Sequence, residues 1–234
     1  MHLPAQPRLL SMKTTRKTKH RLVIVEDHPM TRAGLRTFLD SCDDLLVCAE
    51  AENAGRALDA TIKWNPDLVI ADIGLPGRSG LELLQDLRAR CPDVPVLIYS
   101  MFQESAYAQR ALELGARGYV MKTETGERLL QAIQTVLQGR ISVSQAMAHR
   151  LLEFLASPSK NQRGGVESLS PREFEVFQLL GEGLDNHTIS DRLHIGIKTV
   201  DTHRDRIKQK LKVETSSKLI AMSSHWKATR TLPG

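Results

Sequence analysis

Five polar side chains stand where short apolar runs stop. Glu26 and Asp27 follow Leu22-Val23-Ile24-Val25, and Asp72 follows Leu68-Val69-Ile70-Ala71. Ser100 closes the run from Val94 to Tyr99, and Lys122 closes Gly118-Tyr119-Val120-Met121. Continuous apolar runs this short, bounded by turn residues, suit strands buried on both faces of a parallel sheet. In open α/β sheets, ligands bind beyond the carboxyl ends of the strands. Asp72 alone reads equally well as a cap on the following helix, so the other strand ends decide. Three carboxylates converging on one edge repel unless a cation neutralises them. Oxygen ligands of this kind suit Mg²⁺, which keeps several waters and works with phosphate. A lysine and a hydroxyl beside them can hold phosphoryl oxygens. The set forms a pocket for moving a phosphoryl group, with Asp72 as the acceptor.

The elements that must position these groups alternate in type. Strands are expected at Arg21 to Val25, Leu45 to Ala49, Leu68 to Ala71, Val94 to Tyr99 and Gly118 to Met121. Helical spacing appears from Met30 to Leu39, Ala54 to Trp64, Leu81 to Arg90, Glu104 to Leu114 and Gly126 to Leu137. Five strands alternating with five helices predict an α/β doubly wound five-stranded parallel sheet of flavodoxin-like order over 21–138.

The 234 residues suffice for two ordinary domains, and 41% hydrophobic with 25% charged residues is a globular composition. No apolar run of about 18 residues occurs, so no membrane span is expected. The polar, basic start has no apolar core of a secretory signal, which makes a cytoplasmic protein the expectation. Cys42, Cys48 and Cys91 form no paired motif and read as buried thiols. The net charge of +5 is unevenly spread: residues 1–21 carry six Lys/Arg and no acid, whereas 22–145 carry a net of −5. Residues 1–20 read as a basic disordered tail. An acidic module flanked by basic ones places nucleic acid at the C-terminal part.

That part starts at 169, after a join over 139–168. In the join, Ala146 to Leu155 has Leu151, Leu152 and Leu155 on one side and reads as a short helix; 157–165 is a linker by composition. Ser170 caps the next helix, Pro171 suits its first position, and Glu173 completes a capping box. Gly181 and Gly183 end it. A short helix over Asn186 to Leu193, the turn His194-Ile195-Gly196, and a longer helix over Ile197 to Leu211 make a helix-turn-helix. The domain over 169–234 is expected to be all-α, with a last helix from Thr215 to Trp226. The third helix carries Lys198, Arg204, Arg206, Lys208 and Lys210 against Asp201 and Asp205. Such cations neutralise phosphates and release counterions.

The motifs then become specific. Val-Glu-Asp-His-Pro at 25–29, Pro-Asp-Leu-Val-Ile-Ala-Asp at 66–72, Leu-Pro-Gly at 75–77, Ser100 and Gly-Ala-Arg-Gly-Tyr-Val-Met-Lys at 115–122 resemble the receiver domain of bacterial response regulators. The resemblance implies that Asp72 accepts the phosphoryl group from a cognate histidine kinase. It implies that Glu26, Asp27, Asp72 and the Gly74 carbonyl hold Mg²⁺. Ser100 and Tyr119 become the switch pair, with Lys122 beside the phosphate. Met101 and Glu26 depart from the commonest pattern. Segment 169–222 resembles the LuxR-type DNA-binding domain, through Leu-Ser-Pro-Arg-Glu at 169–173, Gly-Glu-Gly-Leu at 181–184 and Lys-Thr-Val-Asp-Thr-His at 198–203. This implies a two-component regulator of the NarL/FixJ class, not an enzyme, that binds a promoter operator as a homodimer. Lys198, Thr199, Asp201, Thr202, His203, Asp205, Arg206, Lys208 and Lys210 are then the DNA-facing set. Asp can accept from a cytosine amino group and Thr can touch a thymine methyl. Alternatively, Asp201 and Asp205 only pair along their own helix. Lys212 stands where Gly commonly ends this helix, so it must turn left-handed or end the helix otherwise.

Two other classes remain open to the sequence. A hydrolase using an aspartyl-phosphate usually carries Asp-x-Asp after its first strand, and Glu26-Asp27-His28 does not fit. A signalling module that avoids DNA is disfavoured by the basic third helix.

Overall fold

The computed structural model describes residues 19–156 and 165–229, without the side chains of 154–156. Residues 1–18 of the expected tail, most of the linker and the Leu155 side chain lie outside these residues; His20, expected in the tail, instead opens the first strand. The chain begins with β1 (His20–Val25), α1 (Pro29–Asp40), β2 (Leu45–Ala51), α2 (Ala54–Trp64), β3 (Leu68–Ala71) and α3 (Gly80–Arg90). It continues with β4 (Val96–Ser100), α4 (Glu104–Leu114), β5 (Gly118–Met121), α5 (Gly126–Leu137) and α6 (Gln145–Ala156). After a 3₁₀ turn at Val166–Ser168 come α7 (Pro171–Gly181), α8 (Asn186–Leu193), α9 (Ile197–Leu211) and α10 (Ser216–Thr229).

The five strands are all parallel, in the order β2-β1-β3-β4-β5. The order reverses direction between β1 and β3, and that is where a doubly wound sheet opens its ligand crevice. Leu22, Ile24, Leu68, Ile70 and Leu97 point to one face, beneath α1 and α5. Val23, Val25, Val69, Val96 and Ile98 point to the other, beneath α2, α3 and α4. Burial on both faces is why these strands read as continuous apolar runs. β4 begins two residues later than expected, because Pro95 has no N–H for the ladder and Val94 instead closes a turn onto the Cys91 carbonyl at 3.1 Å. The start of α10 shifts by one residue, since the Thr215 hydroxyl accepts from the Lys218 amide at 3.2 Å.

Three expectations are corrected. The cysteines are free but only half-buried. Leu152 of α6 is 66% exposed, and Met147 is the side chain that α6 buries. The largest correction concerns α7. In the sequence Phe174, Phe177, Leu179 and Leu180 give it one apolar side, yet every residue from Pro171 to Leu180 is buried, including Arg172, Glu173, Glu175 and Gln178. α9 and α10 cover part of it, and α3 of the sheet domain covers another part. The edge-on contact of Tyr107 from α4 with Phe174, ring centroids 5.7 Å apart, lies in this seam, and Trp226 of α10 continues the stack at 5.8 Å. Periodicity within one domain does not reveal a helix shared between two.

Candidate phosphoacceptor pocket and nucleic-acid interface

The strand ends assemble as the sequence predicts. The Asp72 amide donates to the Val25 carbonyl at 3.0 Å, and the Lys122 amide to the Ser100 carbonyl at 2.8 Å, so backbone bonds bring the ends side by side. Asp72 is 6% exposed and Glu26 is 1% exposed. The Lys122 ammonium lies 2.5 Å from both Asp72 Oδ2 and Glu26 Oε2. Burial pulls its pKa down, but the two carboxylates outweigh this and hold it above the ordinary lysine value. Ser100 Oγ donates to Asp72 Oδ1 at 2.5 Å, and the Gly74 amide donates to the same oxygen at 3.2 Å.

The Tyr119 hydroxyl donates to the Phe102 carbonyl at 2.8 Å, and the ring is fully buried. Burial, and then the nearby Asp72 charge, push its pKa well up. Ser100 thus already bonds the acceptor, while the Tyr119 hydroxyl is held by the Phe102 carbonyl. Met101, next to Ser100, is 62% exposed.

The loop after Asp72 is shaped by glycine. A Cβ on Gly80 would stand 2.0 Å from the Asp72 carbonyl oxygen, so only glycine allows α3 to begin against the acceptor. Ser79 caps α3, accepting from the Glu82 amide, while Glu82 returns the bond to the Ser79 amide.

The donor set fits a hard divalent cation. Glu26, Asp27 and His28 bring ligand atoms within 4.8 Å of one another, and Asp72 is linked to Glu26 through the shared Lys122 ammonium. Asp27 Oδ1 is shielded from solvent and accepts no hydrogen bond, although the His28 ring nitrogen lies 2.8 Å away. A carboxylate oxygen shielded from solvent and without a hydrogen bond suits a hard cation. Among the described residues, Lys122 is the lysine or arginine that pairs directly with Glu26 and Asp72.

In the second domain, Gly196 opens α9 and Lys212 closes it. Lys212 takes the left-handed conformation (φ 55°), its amide donating to Lys208 and Gln209 carbonyls. Lys198, Thr199, Asp201, Thr202, Asp205 and Arg206 are exposed along one helix. Val200, Ile207 and Leu211, spaced by seven and four, form the buried side. Asp201 accepts from the Asn186 amide group at 2.5 Å, and Arg204 donates to the Asn186 oxygen. Asp205 pairs with Lys208 at 2.9 Å.

Two residues of the predicted DNA-facing set are engaged elsewhere. Lys210 donates to Glu173 at 2.6 Å and to the Ser168 carbonyl at 3.2 Å. His203 is half-buried toward the seam, where burial, then the Arg172 charge, lower its pKa.

Sequence reasoning missed the residues that join the domains. Arg172 donates to the Gly77 carbonyl at 3.2 Å, to the Leu193 carbonyl at 2.5 Å, and to Glu175 at 2.6 Å. Arg110 donates to the Leu169 carbonyl at 2.7 Å. His194 Nε2 lies 3.7 Å from Asp27 Oδ2. An Arg in a first helical turn and a His in a turn carry no spacing that announces such contacts.

A receiver-type acid pocket on a five-stranded sheet, joined to a helix-turn-helix, defines a signal-receiving DNA-binding protein. Known sequences agree. Residues 22–134 match the family described as "Response regulator receiver domain", and 167–223 match "Bacterial regulatory proteins, luxR family". The chain is 30% identical over 221 residues to the transcriptional regulatory protein DegU of Brevibacillus brevis, covering 88% of this chain and 94% of that protein. It is 35% identical over 205 residues to the transcriptional activator protein ExaE of Pseudomonas putida, with 86% and 94% covered. Among solved structures, RcsB of Salmonella enterica serovar Typhimurium bound to promoter rprA with a phosphomimetic is similar, with a TM-score of 0.57, 26% identity, and 88% and 99% covered. The chain therefore belongs to the two-component response regulators that join a receiver to a LuxR-type DNA-binding domain, the NarL/FixJ family. It is a phosphorylation-controlled transcriptional regulator rather than an enzyme. Among the described residues, no helix is long and apolar enough to cross a membrane.

Proposed function

We propose that Asp72 is the phosphoacceptor, with 21–138 as receiver, 139–168 as join and 169–234 as DNA-binding domain. The observation that carries this is the convergence of Ser100 and Lys122 on the two oxygens of Asp72. The Asp72 carboxylate attacks phosphorus, the P–N bond to the kinase histidine breaks, and the leaving imidazole takes a proton. Lys122 and Ser100 then turn from the carboxylate to the phosphoryl oxygens. Glu26, Asp27, Asp72 and the Gly74 carbonyl are the residues that would hold Mg²⁺. When bound, it neutralises the charge building on the phosphoryl group.

The output follows from the second domain. Arg206, Lys198 and Lys208 contact operator phosphates, and Thr199, Asp201, Thr202 and Asp205 face base edges, in the docking common to helix-turn-helix proteins. His203 and Lys210 join this set only if their seam and α7 contacts are released. RcsB, 25% identical to this chain, has been described as two dimers on two parallel DNAs; the same homodimeric binding is proposed here, in the cytoplasm, with a histidine kinase as the upstream partner.

The test is intact-mass measurement after incubation with acetyl phosphate and Mg²⁺. One added phosphoryl group is expected on the wild type and none on Asp72→Asn. Labelling of that variant at wild-type level would overturn the assignment. A dimer making about eight phosphate contacts should bind DNA with a log–log salt slope of roughly −7.

A further inference from the structure

The α8–α9 turn of the DNA-binding domain sits on the mouth of the acid pocket. His194 occupies the left-handed cap position of α8 (φ 50°), which breaks the helix at this turn. Its Nε2 lies 3.7 Å from Asp27 Oδ2, while His28 Nδ1 stands 2.8 Å from the other oxygen. Both oxygens of one carboxylate therefore face imidazoles, one from each domain.

The turn is held down from beside it. Arg172 grips the Leu193 carbonyl, immediately before His194, and at the same time the Gly77 carbonyl in the loop that follows Asp72. One guanidinium thus ties the end of α8 to the phosphorylation loop. The exposed face of α9 is not what the receiver covers: Lys198, Thr199, Asp201, Thr202, Asp205 and Arg206 stay open to solvent.

We propose that the α8–α9 turn is a lid on the acid pocket, and that a divalent cation and His194 compete for Asp27. Loading the pocket then loosens the DNA-binding domain before any phosphoryl transfer. This rests on the metal site proposed above. Mg²⁺ demands near-octahedral oxygen coordination and keeps several waters. A hard cation takes water in preference to imidazole. His194 Nε2 stands 3.7 Å from the Asp27 oxygen that a bound cation would draw on, so ring and hydrated cation would compete for the same space. Where the cation wins, the turn goes with the ring, and the strain falls on the Arg172 bridge to Gly77. By linkage, whatever lifts the turn strengthens cation binding by the same factor.

The experiment is a Mn²⁺ titration of the full chain, read by the electron spin resonance of the free aquo ion. Mn²⁺ favours the same carboxylate and water ligands. His194→Ala, an exposed position, is expected to tighten Mn²⁺ about twofold to fivefold, the range of an exposed ionic contact. Hydrogen exchange gives the second readout: Mg²⁺ should speed exchange across 193–197 in the wild type but not in Asp27→Asn. Equal Mn²⁺ affinity in wild type and His194→Ala would overturn the lid while leaving the metal site standing. Weaker binding in His194→Ala would make the imidazole a ligand, and also overturn competition. Undiminished Mn²⁺ binding by Asp27→Asn would overturn the metal-site reading itself.

Discussion

The acid pocket and the domain seam both bury charged groups, but they treat them differently. In the pocket, Asp72 accepts from Ser100, Gly74 and Lys122, and Lys122 also serves Glu26. In the seam, Tyr107 Oη, Arg172 Nε, Gln178 Nε2 and His203 Nδ1 are buried without hydrogen-bond partners. A buried donor or acceptor left unmade costs about 1–3 kcal/mol. The seam gains apolar contact through Tyr107, Phe174 and Trp226, then forfeits part of it to these orphans. Among the described residues the pocket leaves one such atom, Asp27 Oδ1, at the proposed cation position, and keeps the acceptor Asp72 fully partnered; the seam leaves several.

The largest expected effect breaks the pocket's side of this contrast. Lys122→Ala leaves Glu26 and Asp72 facing each other, 2% and 8% exposed at the side chain, without their cation. Removing one partner of a buried pair costs about 3–5 kcal/mol. Thermal unfolding in a chelator should show this loss, and millimolar Mg²⁺ should return part of it by binding only the folded state. A loss indifferent to Mg²⁺ would place the lysine's contribution in its packed stem rather than its charge.

The seam should answer in the opposite direction. Tyr107→Phe deletes a hydroxyl that is buried and unpartnered while keeping the ring against Phe102 and Phe174. A gain of about 1 kcal/mol in the full chain is expected, since an orphan's desolvation penalty disappears. Ser100→Ala, a comparable deletion in the pocket, should destabilise, because Asp72 Oδ1 loses its shortest donor. If both variants lower the melting temperature alike, the two regions do not differ as described.

How much of this could be read from the sequence follows the same division. The strand ends were legible because each sits after a run whose burial is set by local pattern: Glu26, Asp27, Asp72, Ser100 and Lys122 all fall at the expected edge. The α7 cap was legible from Ser170, Pro171 and Glu173 alone, and the capping box is present. The seam was not. Arg172 and Glu175 look like solvent-facing residues on an amphipathic helix, and only the approach of α3 and α4 buries them. Burying Glu175 pushes its carboxyl pKa up, despite the Arg172 partner. Long-range docking overrides helical periodicity, and nothing within eleven residues of α7 encodes its second neighbour. At Lys212 the sequence allows either a left-handed residue or another helix end, and the chain takes the left-handed one.

A smaller effect tests the strut between α7 and α9. Burial raises the Glu173 carboxyl pKa, but Lys210, the Ser170 amide and the Ser170 hydroxyl outweigh it, so the net shift is downward. A carboxyl with a lowered folded pKa adds stability that is present above its unfolded pKa of about 4.3 and lost as pH falls through the folded value. Lys210→Met should flatten that acid limb in a pH series of melting temperatures. An unchanged limb would show that the capping box alone lowers the carboxyl.

The smallest folding effect is expected on the outward face of α9, which neither pocket nor seam uses. Asp205 pairs with Lys208 three residues on, and Asp205 is 67% exposed. Such a pair contributes about 0–1 kcal/mol to folding. Asp205→Ala should therefore leave the melting temperature nearly unmoved, while changing DNA binding in two ways. It frees Lys208 for a phosphate and removes an acid that repels phosphates, so affinity for random duplex rises. If Asp205 also accepts from a cytosine amino group, discrimination falls by about 1–3 kcal/mol for the lost base contact. Asp201 is the control, because its carboxylate is already occupied by Asn186, itself held by Arg204. A competition titration of operator against random duplex at fixed salt separates the roles. Loss of the specificity ratio in Asp205→Ala but not in Asp201→Ala marks Asp205 as the reader. A ratio unchanged in both leaves the two acids as partners of Lys208 and Asn186 alone.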